Sequence, residues 1–339
     1  MAGVKLSDIA KRMGISVATV SVALNGRPGV SDALRERIIT EAAACGYDMN
    51  RLSSSGDKKL RILVYDIDHG RWGGGPEPYE FVDMRNRLMQ GIEQVAAEEN
   101  LELLQARSKL GGFQQTDIPE GIDGILAISI QRDETLPAAL EQCKLPYVLV
   151  GNSFPGHRLP TVCYDNQGAM EFVVQQLTAA GHKKIGFIRN NTNSQNNLDR
   201  YSGWICAQAK LGMSMGPEYV VTSEDDTAHE ALVSWIRPQL PDTTAFVASN
   251  DYLAMMTIRA LRACGVIPGS EVAVVGFDDM PFAALCDPPL ATTRIDQAAL
   301  GSAALEYLLD LIQCPTKRIW HQFLPLEWIQ RESFCPAKE

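Results

Sequence analysis

Apolar positions recur along this chain with two different periods. Near the start, Leu6, Ile9, Ala10 and Met13 fall on one face of a helical repeat that stops at Gly14. Gly14 and Ile15 form a tight turn, Ser16 is placed as an N-cap, and Val20 and Leu24 are the inward positions of a second helix. Ser31 then caps a third helix, DALRERIITEAAACG, with Leu34, Ile38 and Ala42 inward and Gly46 past its end. Beyond residue 60 the pattern changes. Short apolar runs at LRILVYDI (60–67), GILAISI (124–130), PYVLVG (146–151), KKIGFI (183–188), TAFVAS (244–249) and VAVVGF (272–277) alternate with helical patterns. That alternation predicts βα units around parallel sheets.

Two helices across a glycine turn form a helix-turn-helix, whose second helix enters the DNA major groove; a small helical bundle without a ligand is the other reading of the same pattern. Charge favours the first. Residues 1–61 carry ten Lys/Arg against six Asp/Glu, whereas the whole 339-residue chain is at −10. A basic head on an acidic body fits a nucleic-acid-binding unit joined to one that binds something else. The length favours two or more folded units, and 45% hydrophobic with 21% charged residues is ordinary globular usage. No apolar run is long enough for a spanning helix, and MAGVKLSDIAKRMG lacks the apolar core of a secretory signal, so a cytoplasmic protein is expected. The eight cysteines show no C-x-x-C pair and no nearby His, which points to reduced thiols rather than zinc sites or disulfides.

No phosphate-cradling glycine motif follows a strand, the five His form no metal-ligand spacing, and G-x-S-x-G is absent, so neither an enzyme nor a bound cofactor or metal is expected. In open α/β sheets ligands lie beyond the carboxyl ends of the strands. Those ends are polar here: Asp66 and Asp68, Asn250 and Asp251, Asp278 and Asp279. The loop DHGRWGGGPEPYEF (68–81) adds Trp72, Tyr79 and Phe81, which suit stacking on a ligand ring, a lid or a dimer contact. The stripes MRNRLMQGIEQVAAEE and ALGSAALEYLLDLI read as helices that cover sheet, with dimer contact as a second use for the first.

LSDIAKRMGIS, ATVS, ALN, VS at 30–31, GY at 46–47 and Asn50 stand at the spacing of the lactose-repressor family of bacterial transcription regulators, which this chain resembles. IDGILAIS, LPYVLVGN, VCYDNQGAM, GHKKIGFI, R-x-x-G at 200–203, ASNDYLAM, VAVVGFDD and PPLATTRIDQAALG continue the likeness in the same order. The resemblance implies an α/β, two-lobed, periplasmic-binding-protein-like core of parallel sheets flanked by helices, with a small all-α helix-turn-helix domain at the N-terminus. It implies a DNA-binding domain at 1–50, a hinge at 51–60 and an effector-binding domain at 61–339. Residues 61–162 and 293–324 would form one lobe, 163–292 and 325–339 the other. Arg200, Asn250 and Asp278 correspond to the family's effector-binding Arg, Asn and Asp, a donor and acceptor set suited to a sugar diol. Asp66, Asp68 and Trp72 are added from the strand-end rule and the long loop; Asn250 equally suits an N-cap role. The implied partners are palindromic double-stranded operator DNA, a small-molecule effector of the carbohydrate class and a second copy in a homodimer. A solute-binding module without DNA function is the alternative.

Two departures stand out. Where members usually carry base-contacting side chains, this chain has Val17, Ala18 and Val22. What remains is apolar contact with thymine methyls from Val17 and Ala18 and phosphate contacts from Ser16, Thr19, Ser21 and Asn25, with Leu6, Ser7 and Asn50 as further DNA contacts. Val22 either faces the groove or turns inward as core. In the hinge, NRLSSSGDKK puts Ser53 and Gly56 where members have an Ala and a wedging Leu. Leu52 is the substitute wedge, or else packs against its dimer mate.

Overall fold

The computed structural model describes the chain except residues 1–5, 25–28, 46, 48–58, 68–78, 108–112, 130–133, 193, 223–225, 315–320 and 339. It divides into two compact units, Met1–Leu60 and Arg61–Glu339. In the first, α1 (Leu6–Met13), α2 (Val17–Leu24) and α3 (Asp32–Ala44) enclose Ile9, Ala10, Val20, Ala23, Ile38 and Ala42. Gly14 turns the chain at φ +68°, a conformation that disfavours side chains. Ser16 Oγ then accepts from Thr19 N at 3.0 Å, the N-cap bond that starts α2. Ala23 takes the buried position expected of Leu24, which lies at the margin of the core. The caps also differ. Ser31 occupies the N-cap of α3 without a side-chain bond, and the first-turn carboxylate of Asp32 complements the helix dipole there. Arg35 Nη1 reaches back to the Ala23 carbonyl at 2.9 Å, satisfying one of the orphan acceptors at the end of α2.

The second unit begins with β1 (Arg61–Asp66), α4 (Tyr79–Glu98), β2 (Glu102–Arg107), β3 (Gly124–Ile128), α5 (Leu136–Glu141), β4 (Tyr147–Val150) and β5 (Thr161–Tyr164). It continues through α6 (Asn166–Ala179), β6 (Ile185–Asn190), α7 (Gln195–Lys210), β7 (Glu218–Val221), α8 (Asp226–Ile236), β8 (Ala245–Ala248), α9 (Asp251–Ala263) and β9 (Ala273–Val275). It closes with β10 (Thr292–Arg294), α10 (Gln297–Gln313), β11 (His321–Leu324) and β12 (Glu327–Ile329). Two parallel sheets result, ordered β11-β5-β4-β3-β1-β2 and β7-β6-β8-β9, with β10 and β12 as a separate antiparallel pair. The chain crosses between the sheets after β5, after β9 and after β11. The first sheet keeps Cys163 and Tyr164, two residues past the expected boundary at 162, because β5 pairs with β11 through Tyr164.

Each sheet is buried by helices, as all-parallel sheets require. In the first lobe α4 and α10 meet backbone to backbone. A Cβ on Gly91 would lie 1.9 Å from the Ala298 carbonyl oxygen, and one on Gly301 would lie 2.1 Å from that of Leu88. Ser302 Oγ bonds the Gly91 carbonyl at 3.1 Å across the same contact.

Candidate functional site

Between the two lobes lies a cleft of about 540 Å³, counted to its open mouth. Met84, Arg85 and Leu88 of α4, Ile128, Val150 and Gly151 at the ends of β3 and β4, and Tyr164 of β5 line it from the first lobe. Asn196 and Arg200 of α7 face them from the second; Ile295, Gln297 and Leu300 complete it where β10 leads into α10.

Arg200 is the best-held group here, only 6% exposed. Its guanidinium lies 3.8 Å from the Phe277 ring centroid, a cation–π contact that fixes the plane of the fork. Within that plane Nε donates to Asn166 Oδ1 at 2.8 Å, Nη1 to the Ser249 carbonyl at 2.6 Å, and Nη2 pairs with Asp278 Oδ1 at 3.0 Å. Asn166 Nδ2 donates to Asn196 Oδ1 at 3.0 Å, and Asn196 Nδ2 to the Gly151 carbonyl at 2.8 Å. Polar contacts therefore run unbroken from the first lobe, through α6 and α7, to the loop after β9.

That loop is strained. Asp278 and Asp279 both have positive φ, 108° and 50°, in a region non-glycine residues rarely adopt. Asp278 N donates to the Thr293 carbonyl at 2.9 Å, while Arg294 and Arg331 hold the Asp279 carboxylate at 2.8 and 2.7 Å. Behind them Asp251 is fully buried, accepting from Thr292 Oγ1 at 2.6 Å and Met280 N at 2.7 Å. Burial, and then the neighbouring Asp278, push its carboxyl up to about 8. Between about pH 4 and about pH 8 the folded state holds this proton and the unfolded chain does not, so rising pH removes that part of the stability. Asp251→Asn should therefore flatten the fall in denaturation midpoint between pH 5 and pH 8; an unchanged slope in urea titrations would show that the folded protein carries Asp251 ionised.

The other expected site residues fall in different places. Asn250 is the N-cap of α9, its Oδ1 accepting from Leu253 N at 2.9 Å, and is not among the described residues lining the cleft. Asp66 is also set back: its Oδ2 lies 3.0 Å from Arg85 Nε and 3.0 Å from Arg107 Nε, so it positions Arg85, which does reach the cleft. Asp68 and Trp72 lie outside the described residues. The first turns of the α4 stripe, read from sequence as sheet cover with dimer contact as a second use, line the cleft through Met84, Arg85 and Leu88. Asn166, Asn196 and Gln297 were not singled out either. Asn196 had a signal, since NSQNNLDR is a polar run just past the end of β6, where the strand-end rule looks for ligands.

In the N-terminal unit Val17 is 48% exposed and Ser16 is also exposed. Thr19, Ser21 and Val22 are half-buried, and Val22 is not in the core cluster of the described residues. The side chains of Leu6, Ser7 and Ala18, and residues Asn25, Asn50 and Leu52, lie outside the described residues.

Residues 5–50 match the bacterial regulatory proteins of the lacI family, and residues 174–334 match the periplasmic binding protein-like domain. The chain belongs to the lacI family. Among curated relatives of this lacI-family protein, the transcriptional regulator MalR of Streptomyces coelicolor is 28% identical over 331 residues, 91% of this chain and 90% of that one. The transcriptional regulator CelR of Thermobifida fusca is 26% identical over 341 residues, 97% of each. Among solved structures, the lac repressor dimer bound to operator and the anti-inducer ONPF superposes with a TM-score of 0.67 at 20% identity, covering 98% of this chain and 99% of that one. A CelR–cellobiose complex gives 0.66 at 24% identity, covering 98% and 100%. The lacI-family fold thus extends over nearly the whole chain, with α1 and α2 as its helix-turn-helix, and the chain is a DNA-binding transcription regulator. No described helix is long and apolar enough to cross a membrane.

Proposed function

We propose that this regulator is a cytoplasmic repressor that binds a palindromic operator as a homodimer and is switched by a sugar or sugar derivative held between its lobes. The observation that carries the reading is the Arg200 network: a buried, fully oriented guanidinium at a cleft, wired to both lobes through Asn166, Asn196 and Gly151. A ligand meeting Arg200 changes the contacts that hold the lobes together. Asp278 orients the fork, and Asn250 sets the start of α9 nearby. By linkage the effector must bind one DNA-affinity state better than the other, typically by ~1–3 kcal/mol. The relatives support the carbohydrate class, since one is solved with cellobiose. The protein binds its effector without converting it.

Leu285 is the side chain we assign to the dimer contact. It is 84% exposed in the loop after β9, and an apolar side chain so placed suits an isologous contact. Leu285→Asp is expected to shift full-length protein toward monomer in sedimentation velocity, and to weaken operator binding at least tenfold. A dimer of unchanged stability would remove Leu285 from the interface. The function itself is tested by selecting duplex sites from a random pool, then screening sugars for release of the selected site in a mobility shift with the sugar recovered intact. A released site together with a consumed sugar would mark an enzyme instead.

A further inference from the structure

Hydrogen-bond donors outnumber acceptors at the cleft, and the imbalance restricts what fits. After its bonds to Asn166, Ser249 and Asp278, Arg200 keeps one N–H on each terminal nitrogen, and Asn196 keeps one amide N–H. Gln297, the first residue of α10 and only 8% exposed, makes no hydrogen bond among the described residues, so its amide adds two more. A second guanidinium, that of Arg85, borders the same cleft from the first lobe, its side chain 16% exposed.

Acceptors are already engaged. The carbonyls of Ile128, Val150 and Gly151 accept from Ile67 N at 2.9 Å, Ser129 N at 3.2 Å and Asn196 Nδ2 at 2.8 Å. Asn196 Oδ1 accepts from Asn166, and the Tyr164 hydroxyl donates to the Asp296 carbonyl. No carboxylate lines the cleft among the described residues, which leaves Gln297 Oε1 as the one side-chain oxygen there without a bond. A neutral hydroxyl brings a donor that needs a partner once water is excluded, whereas a carboxylate or phosphate only accepts. A donor-rich lining therefore favours an anion.

Charge points the same way. Asp66 Oδ2 lies 3.0 Å from both Arg85 Nε and Arg107 Nε, so two cations share one carboxylate behind the first-lobe side of the cleft. Asp278 offsets Arg200 on the other side. Two guanidiniums bordering one small volume repel each other, and an anion placed between them relieves both.

We infer that the effector is an acidic carbohydrate, carrying a carboxylate or phosphate, with its hydroxylated ring on Arg200 and Asn196 and its anionic group on Arg85. Arg85 is the specificity residue, since a guanidinium fork matches either anion. The inference rests on the reading of this cleft as a sugar site and adds the charge class of its ligand.

The test is calorimetry on full-length protein with common hexoses and pentoses, each as free sugar and as phosphate ester, and with the hexoses also as uronate and uronate methyl ester. For the preferred sugar one acid form should bind at least tenfold tighter than the free sugar, and the phosphate and uronate arms identify which acid it is. A preferred uronate should lose that advantage as its methyl ester, a comparison that needs no variant. Arg85→Met should bring the acid-to-neutral ratio toward one while the free sugar binds as before; Arg85→Lys, which keeps the charge, should retain part of the ratio. A merely structural Arg85 would weaken acid and free sugar alike, and that result would remove it from the site. Free sugar binding as tightly as its acid forms, with both lost in Arg200→Ala, would leave the sugar site standing and overturn the acidic-ligand inference. Failure of every panel member to bind would overturn the sugar reading and the inference with it.

Discussion

Arg200→Ala is expected to abolish the effector response while the protein still retains operator DNA. The substitution removes three oriented donors, and it takes away the guanidinium that pairs with Asp278 beside the buried Asp251. Breaking a buried pair by deleting one partner typically costs ~3–5 kcal/mol, so the core domain should melt roughly 10 °C lower. Arg200→Lys separates the two effects. It restores the charge opposite Asp278 without the planar fork, so stability should recover in part while effector affinity stays at least a hundredfold down. Calorimetry measures the affinity, and a mobility shift below the melting range measures DNA retention. Wild-type effector affinity in Arg200→Ala would remove this residue from the site.

The second large effect concerns DNA. Val22→Arg should create a guanine preference that the parent protein lacks. Val22 is half-buried on α2 outside the core cluster, and its Cγ1 lies 4.0 Å from the position of a Cβ at Gly29, so its side chain rests at the helix edge beside the loop. An arginine from this position extends into solvent without disturbing the buried Val20 and Ala23. Bidentate pairing with guanine is worth ~1–3 kcal/mol per base pair, roughly 5- to 150-fold in discrimination. In a site-selection experiment the parent should favour T·A pairs at the outer half-site positions. The variant should gain one G·C pair per half-site, symmetrically placed. An unaltered motif would show that α2 presents another face to the groove.

Much of the fold was legible because burial on both faces writes itself into short apolar runs. β1, β3, β4, β6, β8 and β9 all coincide with such runs. β2, β7 and β11 did not stand out, since each lies at a sheet edge with several residues partly or fully exposed, and HQFL carries no apolar signal. The site was legible only in part. Arg200 stood out through its motif, but its partners are polar residues of the ordinary kind, and Asn166 and Asn196 acquire a role only when the crossing after β5 brings α6 against α7. The apolar part of the lining was invisible for the opposite reason. Ile128 and Val150 look like strand ends and Leu88 like a helix stripe, and nothing local reveals that they share a surface with Leu300. Asp66 misled because a carboxylate at a strand end suits a ligand as well as it suits two arginines.

The glycine contact between α4 and α10 decides where this protein can be redesigned. Leu88 and Leu300 project from helices whose main chains already touch at Gly91 and Gly301, so the spacing between those helices is fixed by backbone rather than by side chains. A library built to retarget the regulator toward a new effector should therefore vary positions 88, 295, 297 and 300 within the volume the core there allows, since exchanged groups alter the cleft on a frame that stays put. Positions 91 and 301 should return glycine from any selection for function. Changing the chemical that this switch answers to is thus a matter of a few exchangeable side chains on an unalterable mount.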